Sequence, residues 1–524
     1  MNVYLLTLIA LLPFALLFWL IIFRRWPALK AMPLVWFITA CAAFVFWQLS
    51  LGWIGASFIK GFFIALEIIL IIFGAVWVIE ILKKKKHMAD VHVLLSGISK
   101  DARIQVIIIA WFFGSLIEGV AGFGTPAALA APLLVGLGFT PFLAVVVSLV
   151  ANSTPVSFGA AGTPILLGLG SLGLERSILE QVARQVAFLH IIGGFIIPLF
   201  LVGFVVSAKG WNKKDFFSAV PFAIFSWIVF AILYILTAWF IGPELPSIIA
   251  GFFGLIIAGT AAHYGFLTPK KVISFGKQKK VKQINLKSFL NATLPYLLIV
   301  VLLVVSRLIP FIKEKLISVS VKFDSIFGLE ISYKFLPFFT PSFYFLLTGI
   351  ICLFIFRSDK KDVQITLSRT WAKIKKPFVA LVFALALVQL LIFSGNGAFG
   401  LASMPLLLAQ AIAVLFNKAY IFVAPFVGSF GSFMAGSNTL SNLLFGKLQI
   451  ETAKVLGFSF IVILALQVVG GAIGNMIAIH NILAASATVG LHGREGKIIR
   501  KTIWVMLIYG LIIGVLGLLM IFIF

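Results

Sequence analysis

Apolar runs of about twenty residues, nearly free of charge, recur from one end of the chain to the other, each long enough to cross a hydrocarbon core. Lipid offers a bare peptide group no partner, so runs of this length must close their hydrogen bonds internally, as helices do. Composition agrees: of 524 residues, 62% are hydrophobic and 11% charged, against roughly 25% charged in a soluble domain. The runs lie near 3–23, 33–53, 61–82, 141–168, 186–207, 218–241, 245–262, 289–310, 338–356, 377–394, 456–480 and 502–523. They predict an all-α polytopic membrane protein of about twelve transmembrane helices, one integral membrane domain over 1–524. No hydrophilic stretch is long enough for a soluble domain. The run Val3–Phe23 lacks a basic lead and an A-x-A-like cleavage site, and so reads as a retained first span rather than a signal peptide.

The formal charge of +25 would suit nucleic acid, but its distribution excludes that partner. Basic residues gather in short loops: Arg24, Arg25 and Lys30; Lys83–Lys86; Lys209, Lys213 and Lys214; Lys270–Lys287; Arg357–Lys376; and Arg494–Lys501. This is the positive-inside pattern. It places these six loops in the cytoplasm, where they can also grip anionic membrane lipid, and both termini outside. Cys41 and Cys352 lie in apolar runs, which argues against a disulfide framework or a cysteine metal site.

Two apolar segments remain, 104–139 and 420–453, each broken near its middle by small or polar residues. They read as re-entrant hairpins. Gly114-Ser-Leu-Ile-Glu-Gly-Val-Ala-Gly-Phe-Gly-Thr125 lies without gaps on Gly428-Ser-Phe-Gly-Ser-Phe-Met-Ala-Gly-Ser-Asn-Thr439, matching at Gly, Ser, Ala, Gly and Thr. An interrupted, glycine-rich span follows each, Ala151–Pro164 and Gln467–Asn475. The chain is thus expected to hold two repeats, 61–207 around the first hairpin and 377–524 around the second. With the amphipathic piece 397–416 on the outer surface, the second hairpin enters from outside and the repeats are inverted, an arrangement of secondary transporters. With that piece crossing, both hairpins enter from inside.

A helix interrupted at membrane depth exposes unpaired N–H groups at a positive dipole end, a receptor for a carboxylate or phosphate. The breaks at 119–126, 152–163, 436–442 and 470–475 supply such ends. Candidate substrate-binding residues are Gly122, Gly124, Thr125, Ser153, Thr154, Ser157, Thr163, Ser437, Asn438, Thr439, Asn442 and Asn475. Neutral hydrogen-bonders dominate and cations are scarce, which suits a small monoanion better than a phosphorylated compound. The competing role for any one Gly or Ser is helix packing. Ionisable residues within spans are functional suspects. Glu118 precedes the first break, and a carboxyl in low dielectric readily holds a proton near neutral pH. Glu67 sits mid-span, where a cation elsewhere would pair with it. His190 carries an imidazole suited to proton coupling, and Arg307 could partner an anion or snorkel to the interface. Glu80 and the lysines after it read as a cytoplasmic rim.

Enzymatic signatures are missing. Gly119-x-x-Gly122-x-Gly124 lacks dinucleotide spacing, and no Walker A, HExxH or GxSxG motif occurs. A membrane-embedded transferase would need clustered Asp, His or Arg at one face, and a passive anion channel would not accumulate its ion.

Glu118–Pro126, Leu133-Leu-Val-Gly-Leu-Gly-Phe, Pro155-Val-Ser-Phe-Gly-Ala-Ala-Gly-Thr-Pro-Ile, Gly436-Ser-Asn-Thr-Leu-Ser-Asn-Leu-Leu-Phe-Gly and Gln467–Asn481 closely resemble bacterial L-lactate permeases over nearly the whole chain. The resemblance implies import of L-lactate and related 2-hydroxy acids such as glycolate, coupled to protons and with no cofactor, in the bacterial cytoplasmic membrane. A sodium-coupled carboxylate carrier of the same fold is the alternative. The family is similar to a wider ion-transporter superfamily in which Ser-Asn-Thr motifs of paired hairpins hold carboxylates, the site moves as an elevator, and copies often pair as dimers. Ser437-Asn438-Thr439 matches that motif, whereas the first hairpin has Phe123-Gly124-Thr125.

Overall fold

The computed structural model describes residues 3–24, 26–122, 124–276 and 286–523. Arg25, Phe123 and 277–285, part of one basic loop, lie outside them. Among the described residues twelve helical stretches are long and apolar enough to cross a membrane, or thirteen when the bent pair Thr293–Leu308 and Pro310–Ser318 counts as one span. The protein is an all-α polytopic membrane protein, as the hydropathy requires, with one small addition. Val321–Phe323 pairs antiparallel with Tyr333–Phe335, Lys322 opposite Lys334. Both triplets alternate in the period of a strand, and this ribbon follows an 89° bend where Pro310 opens the next helix.

The predicted crossing 33–53 needs correction. Its helix is Ala28–Phe46, and the next begins at Leu51, capped by the Ser50 hydroxyl accepting from Trp53 N. Trp47 and Leu49 keep the turn apolar, so hydropathy ran straight through it.

The elements recur in one order. A 34-residue helix comes first, Leu51–Lys84 in one half and Lys360–Phe393 in the other; the two pack so closely that a Cβ on Gly61 would lie 2.6 Å from Ala386 Cα. Short helices follow, His87–Ile98 and Met404–Phe416. Next come two helix-break-helix hairpins. Hairpin one has arms Ala102–Ala121, π-helical over Val106–Phe113, and Thr125–Gly136. Hairpin two has arms Tyr420–Ala435 and Asn438–Leu456. After each lies an interrupted span: Pro141–Ala151, Pro155–Phe158 and Gly159–Leu166 in the first half, Phe460–Gly474 and Ile479–Thr488 in the second. Arg176–Ala208 and Glu495–Ile523 complete the two series.

Burial orders these elements from centre to rim. The most apolar stretch of Ala102–Ala121 is 100% buried and that of Phe460–Thr488 89%, against 33% for Val3–Ile21 and 39% for Lys213–Phe240. Hydropathy alone would allow all four to face lipid, so packing decides which do. Close contacts give direction. Gly119 lies against Ile248 and Gly254 against Phe112, so the first arm of hairpin one runs antiparallel to Pro246–His263 and finishes at the Glu244 end. Asn442 lies beside Gly168 and Gly446 beside Leu169 and Leu172. The return arm of hairpin two therefore lies along the segment that joins interrupted span one to Arg176.

Candidate functional site

Both hairpin tips turn through glycine. Gly122 has φ 56° and ψ −155°, a region that is essentially glycine-only. Gly124 and Gly436 are left-handed, at φ 77° and 70°. Interrupted span one holds the most strained backbone: Ala160, Ala161 and Gly162 are all left-handed, at φ 43°, 53° and 77°. Left-handed backbone costs roughly 1–2 kcal/mol for each non-glycine residue, so the surroundings must enforce it. Thr163 Oγ1 donates to Ala160 O and closes this turn.

The four breaks meet at one cavity. It is about 10 Å³ in size and is lined by Glu118 and Gly122 of hairpin one, Val156, Gly159, Ala160 and Pro164 of interrupted span one, Gly436–Thr439 of hairpin two, and Asn475 of interrupted span two. This is about the space one water needs. Glu118 is buried and accepts from Asn152 Nδ2 at 2.9 Å through Oε2. Its Oε1 lies so close to Gly159 that a Cβ there would strike it. Opposite stands the N-terminus of Asn438–Leu456, with Ser437 in extended conformation as its N-cap and no side-chain capping bond. Asn438 Nδ2 donates to Val468 O at 3.0 Å, while Asn438 Oδ1 and Ser432 Oγ are buried without a partner among the described residues. The cavity therefore sets a carboxyl against a helix N-terminus rich in neutral donors.

Of the candidates read from the sequence, Glu118, Gly122, Ser437, Asn438, Thr439 and Asn475 come together here. Others are placed elsewhere. Gly124 faces Asn481, whose Oδ1 would lie 2.8 Å from an added Cβ. Thr125 opens the return arm of hairpin one, its N–H bonded to Gly122 O. Ser153 Oγ donates to Val150 O, and Thr154 Oγ1 accepts from Trp111 Nε1. Both hydroxyls are spent on local structure. Asn442 Nδ2 donates to Pro164 O at 2.9 Å and ties hairpin two to interrupted span one. Ser157 Oγ and Tyr509 Oη each lie 2.7 Å from one ring nitrogen of His190. His190 is fully buried between them and is not among the residues that line the cavity.

Arg307 also stands apart. Its Nε donates to Glu244 Oε1 at 2.8 Å, and Arg176 reaches the same carboxylate at 3.0 and 3.1 Å. Burial alone would raise the Glu244 pKa, but the two guanidiniums outweigh it and hold the carboxyl down at about 2. Glu67 pairs with the Tyr333 hydroxyl at 3.0 Å rather than with the expected cation, because the strand that supplies Tyr333 was invisible to hydropathy. Glu80 is buried and paired with Lys373 at 2.5 Å. Sequence reasoning missed Asn152 and Asn481. Asn152 opens the Asn-Ser-Thr-Pro run, and a polar side chain preceding a break was its available signal.

A family profile described as L-lactate permease matches residues 6–524. The chain is 30% identical to the L-lactate permease of Escherichia coli strain K12, over 98% of this chain and 96% of that protein. It is 29% identical to the glycolate permease GlcA of the same organism, over 90% of this chain and 87% of that one. To the L-lactate permease of Bacillus subtilis strain 168 it is 28% identical, over 94% and 88%. Among solved structures, the YdaH transporter of Alcanivorax borkumensis is similar at a TM-score of 0.47 and 15% identity, covering 89% of this chain and 88% of that one.

Proposed function

The chain belongs to the L-lactate permease family, and we propose that it imports L-lactate, together with glycolate and D-lactate, across the bacterial cytoplasmic membrane by electroneutral proton symport. The observation that carries this reading is the convergence of four chain breaks on one cavity holding a buried carboxyl and an uncapped helix N-terminus. The substrate carboxylate would sit at the amides of Asn438 and Thr439, where dipole and free N–H groups favour an anion. Ser437 and Thr439 hydroxyls would meet the 2-hydroxyl. Glu118 would carry the proton: an anion and a proton entering together leave the dry site neutral, whereas a lone buried anion is costly.

The cavity is too small for lactate, so loading requires the tips to part. Hairpins entering from opposite faces would meet tip to tip, and both tips do line one cavity. An elevator stroke of the hairpin unit against the two long helices fits the bonding within that unit. Asn442 to Pro164, Tyr234 to Thr154 and Ser247 to Pro155 join its parts. Six basic loops in the cytoplasm set both termini outside, and pairing of two copies would anchor the long helices.

The test is uptake of labelled L-lactate into proteoliposomes under an imposed pH gradient, acid outside. Accumulation that follows the pH gradient supports the reading. Uptake indifferent to pH but driven by a sodium gradient overturns the coupling.

A further inference from the structure

A second, much larger cavity lies beside the first. It is about 580 Å³ and opens between the long helix Leu51–Lys84, the Pro310–Ser318 helix with its β-ribbon, and interrupted span one. The strained turn lines both chambers, Ala160 and Pro164 facing the small cavity and Ala161 and Thr163 the large one. On the long helix Lys60, Ile64, Glu67 and Ile71 form the lining, one face at helical spacing.

The charges of this chamber are unequal. Lys60, Arg176, Arg307, Lys313 and Lys334 line it against Glu67 and Glu244, a formal excess of three positive charges. Pairing sorts them further. Glu244 neutralises the arginines, Arg176 also holding Glu180, and Glu67 is bonded to Tyr333. The three lysines have no carboxylate partner among the described residues. Lys313 and Lys334 are exposed, whereas Lys60 is half-buried with its Nζ 5.1 Å from the Phe393 ring. Unneutralised cations thus run from an exposed pair to a deeper one, within low-dielectric walls that focus the field.

We propose that this vestibule is a docking site for small carboxylate anions ahead of the transport site, with the Lys60 ammonium as its deeper receptor and Lys313 and Lys334 as its collecting rim. The identity of the carboxylate as a 2-hydroxy monocarboxylate rests on the transport reading above; the site itself rests on the charge and shape of the chamber. The transport cavity has neutral donors only, so long-range attraction of the anion falls to the vestibule. A turn of five residues then divides capture from coupled binding.

The experiment uses the full chain in proteoliposomes, L-lactate as probe and choline chloride to vary ionic strength. Wild-type KM is expected to rise with salt. Lys60→Gln should raise KM roughly threefold to tenfold at low salt, flatten the salt dependence and leave kcat within about twofold, while Lys60→Arg stays near wild type. Lys313→Gln/Lys334→Gln should give a smaller rise with the same flattening. Wild-type KM and salt slope in both glutamine variants overturn the proposal. Should Lys60→Gln not purify as a monodisperse protein, the rim double variant decides, and an unchanged salt slope in it is equally fatal. Calorimetric titration of the solubilised protein separates this site from the transport reading: lactate binding that weakens in Lys60→Gln, in a protein that fails to transport, retires transport and keeps the docking site.

Discussion

Gly159→Ala isolates the packing of the Glu118 carboxyl from backbone effects. Gly159 has φ −65° and ψ 155°, a conformation alanine adopts freely, so no helix or turn is strained by the change. The added methyl would strike Glu118 Oε1 and lie 3.2 Å from its Cδ. One outcome is rotation of the carboxyl away from Asn152 Nδ2, which now holds it at 2.9 Å; leaving that buried amide donor unsatisfied costs about 1–3 kcal/mol. The other is displacement of interrupted span one, an overpacking cost of about 1–3 kcal/mol. The chain takes whichever is cheaper, so the two do not add. At 1.4 kcal/mol per decade, a loss near 1–3 kcal/mol in the loaded state weakens kcat/KM for lactate roughly fivefold to hundredfold. Initial uptake rates in proteoliposomes, at matched reconstituted protein, read this directly. Kinetics within twofold of wild type would refute the reasoning, since Glu118 would then tolerate a new position and could not be held for proton coupling by this wall.

Glu118→Gln keeps the shape and the Asn152 contact but cannot release a proton; accumulation driven by one pH unit, about tenfold for one-to-one symport, should vanish while lactate counterflow persists. Glu244→Gln leaves the buried Arg307 and the half-buried Arg176 short of charge and should destabilise the protein by about 3 kcal/mol, read as a lower unfolding midpoint of the solubilised protein. Its sign with pH is fixed: a carboxyl held down at about 2 contributes fully above the ordinary value near 4 and fades only as pH falls toward 2. The Glu244 pairing thus adds no titration between pH 5 and 8, and Glu244→Gln should leave the shape of the uptake pH profile unchanged there. Ala161→Gly relieves a left-handed alanine at φ 53° and should stabilise by about 1 kcal/mol, seen as a raised midpoint. Arg103→Ala unpairs buried Asp101 and releases the backbone carbonyls of Asp215 and Lys271, a loss of about 3–5 kcal/mol by the same assay.

Spans and breaks were legible because hydropathy and glycine act locally. Glu118, Ser437, Asn438 and Thr439 stood out as polar groups at the breaks, and they do meet at one cavity. What pattern could not supply was the direction of each hydroxyl. Ser153, Thr154 and Ser157 share the break with Asn152, yet only Asn152 reaches Glu118, because a turn sends successive side chains to different sides. Arg307 was legible as an interface residue and turned out buried, its partner Glu244 lying 63 positions away. Pairing across such a distance leaves no periodic trace. The β-ribbon escaped for the opposite reason, being only three residues per strand.

The arrangement around Glu244 bears on how a moving unit could slide without stranding charge. Glu244 follows the Lys213–Phe240 helix and is held twice, by Arg176 of the hairpin unit and by Arg307, which ends the Leu286–Leu308 helix. The proposed stroke separates Arg307 from Glu244 but keeps Arg176 with it. Glu244 then retains a guanidinium at 3.0 Å, and an ion pair inside low dielectric is the condition for leaving it buried. Arg307 is provided for as well: it donates to Ser306 Oγ and Phe339 O and lies 3.8 Å from the Phe339 ring centroid. A single salt bridge at this boundary would expose a bare buried charge at mid-stroke, costing several kcal/mol. In the proposed stroke a shared carboxylate with one partner on each body would replace that barrier with the loss of one of two contacts, leaving the boundary both closed at rest and passable.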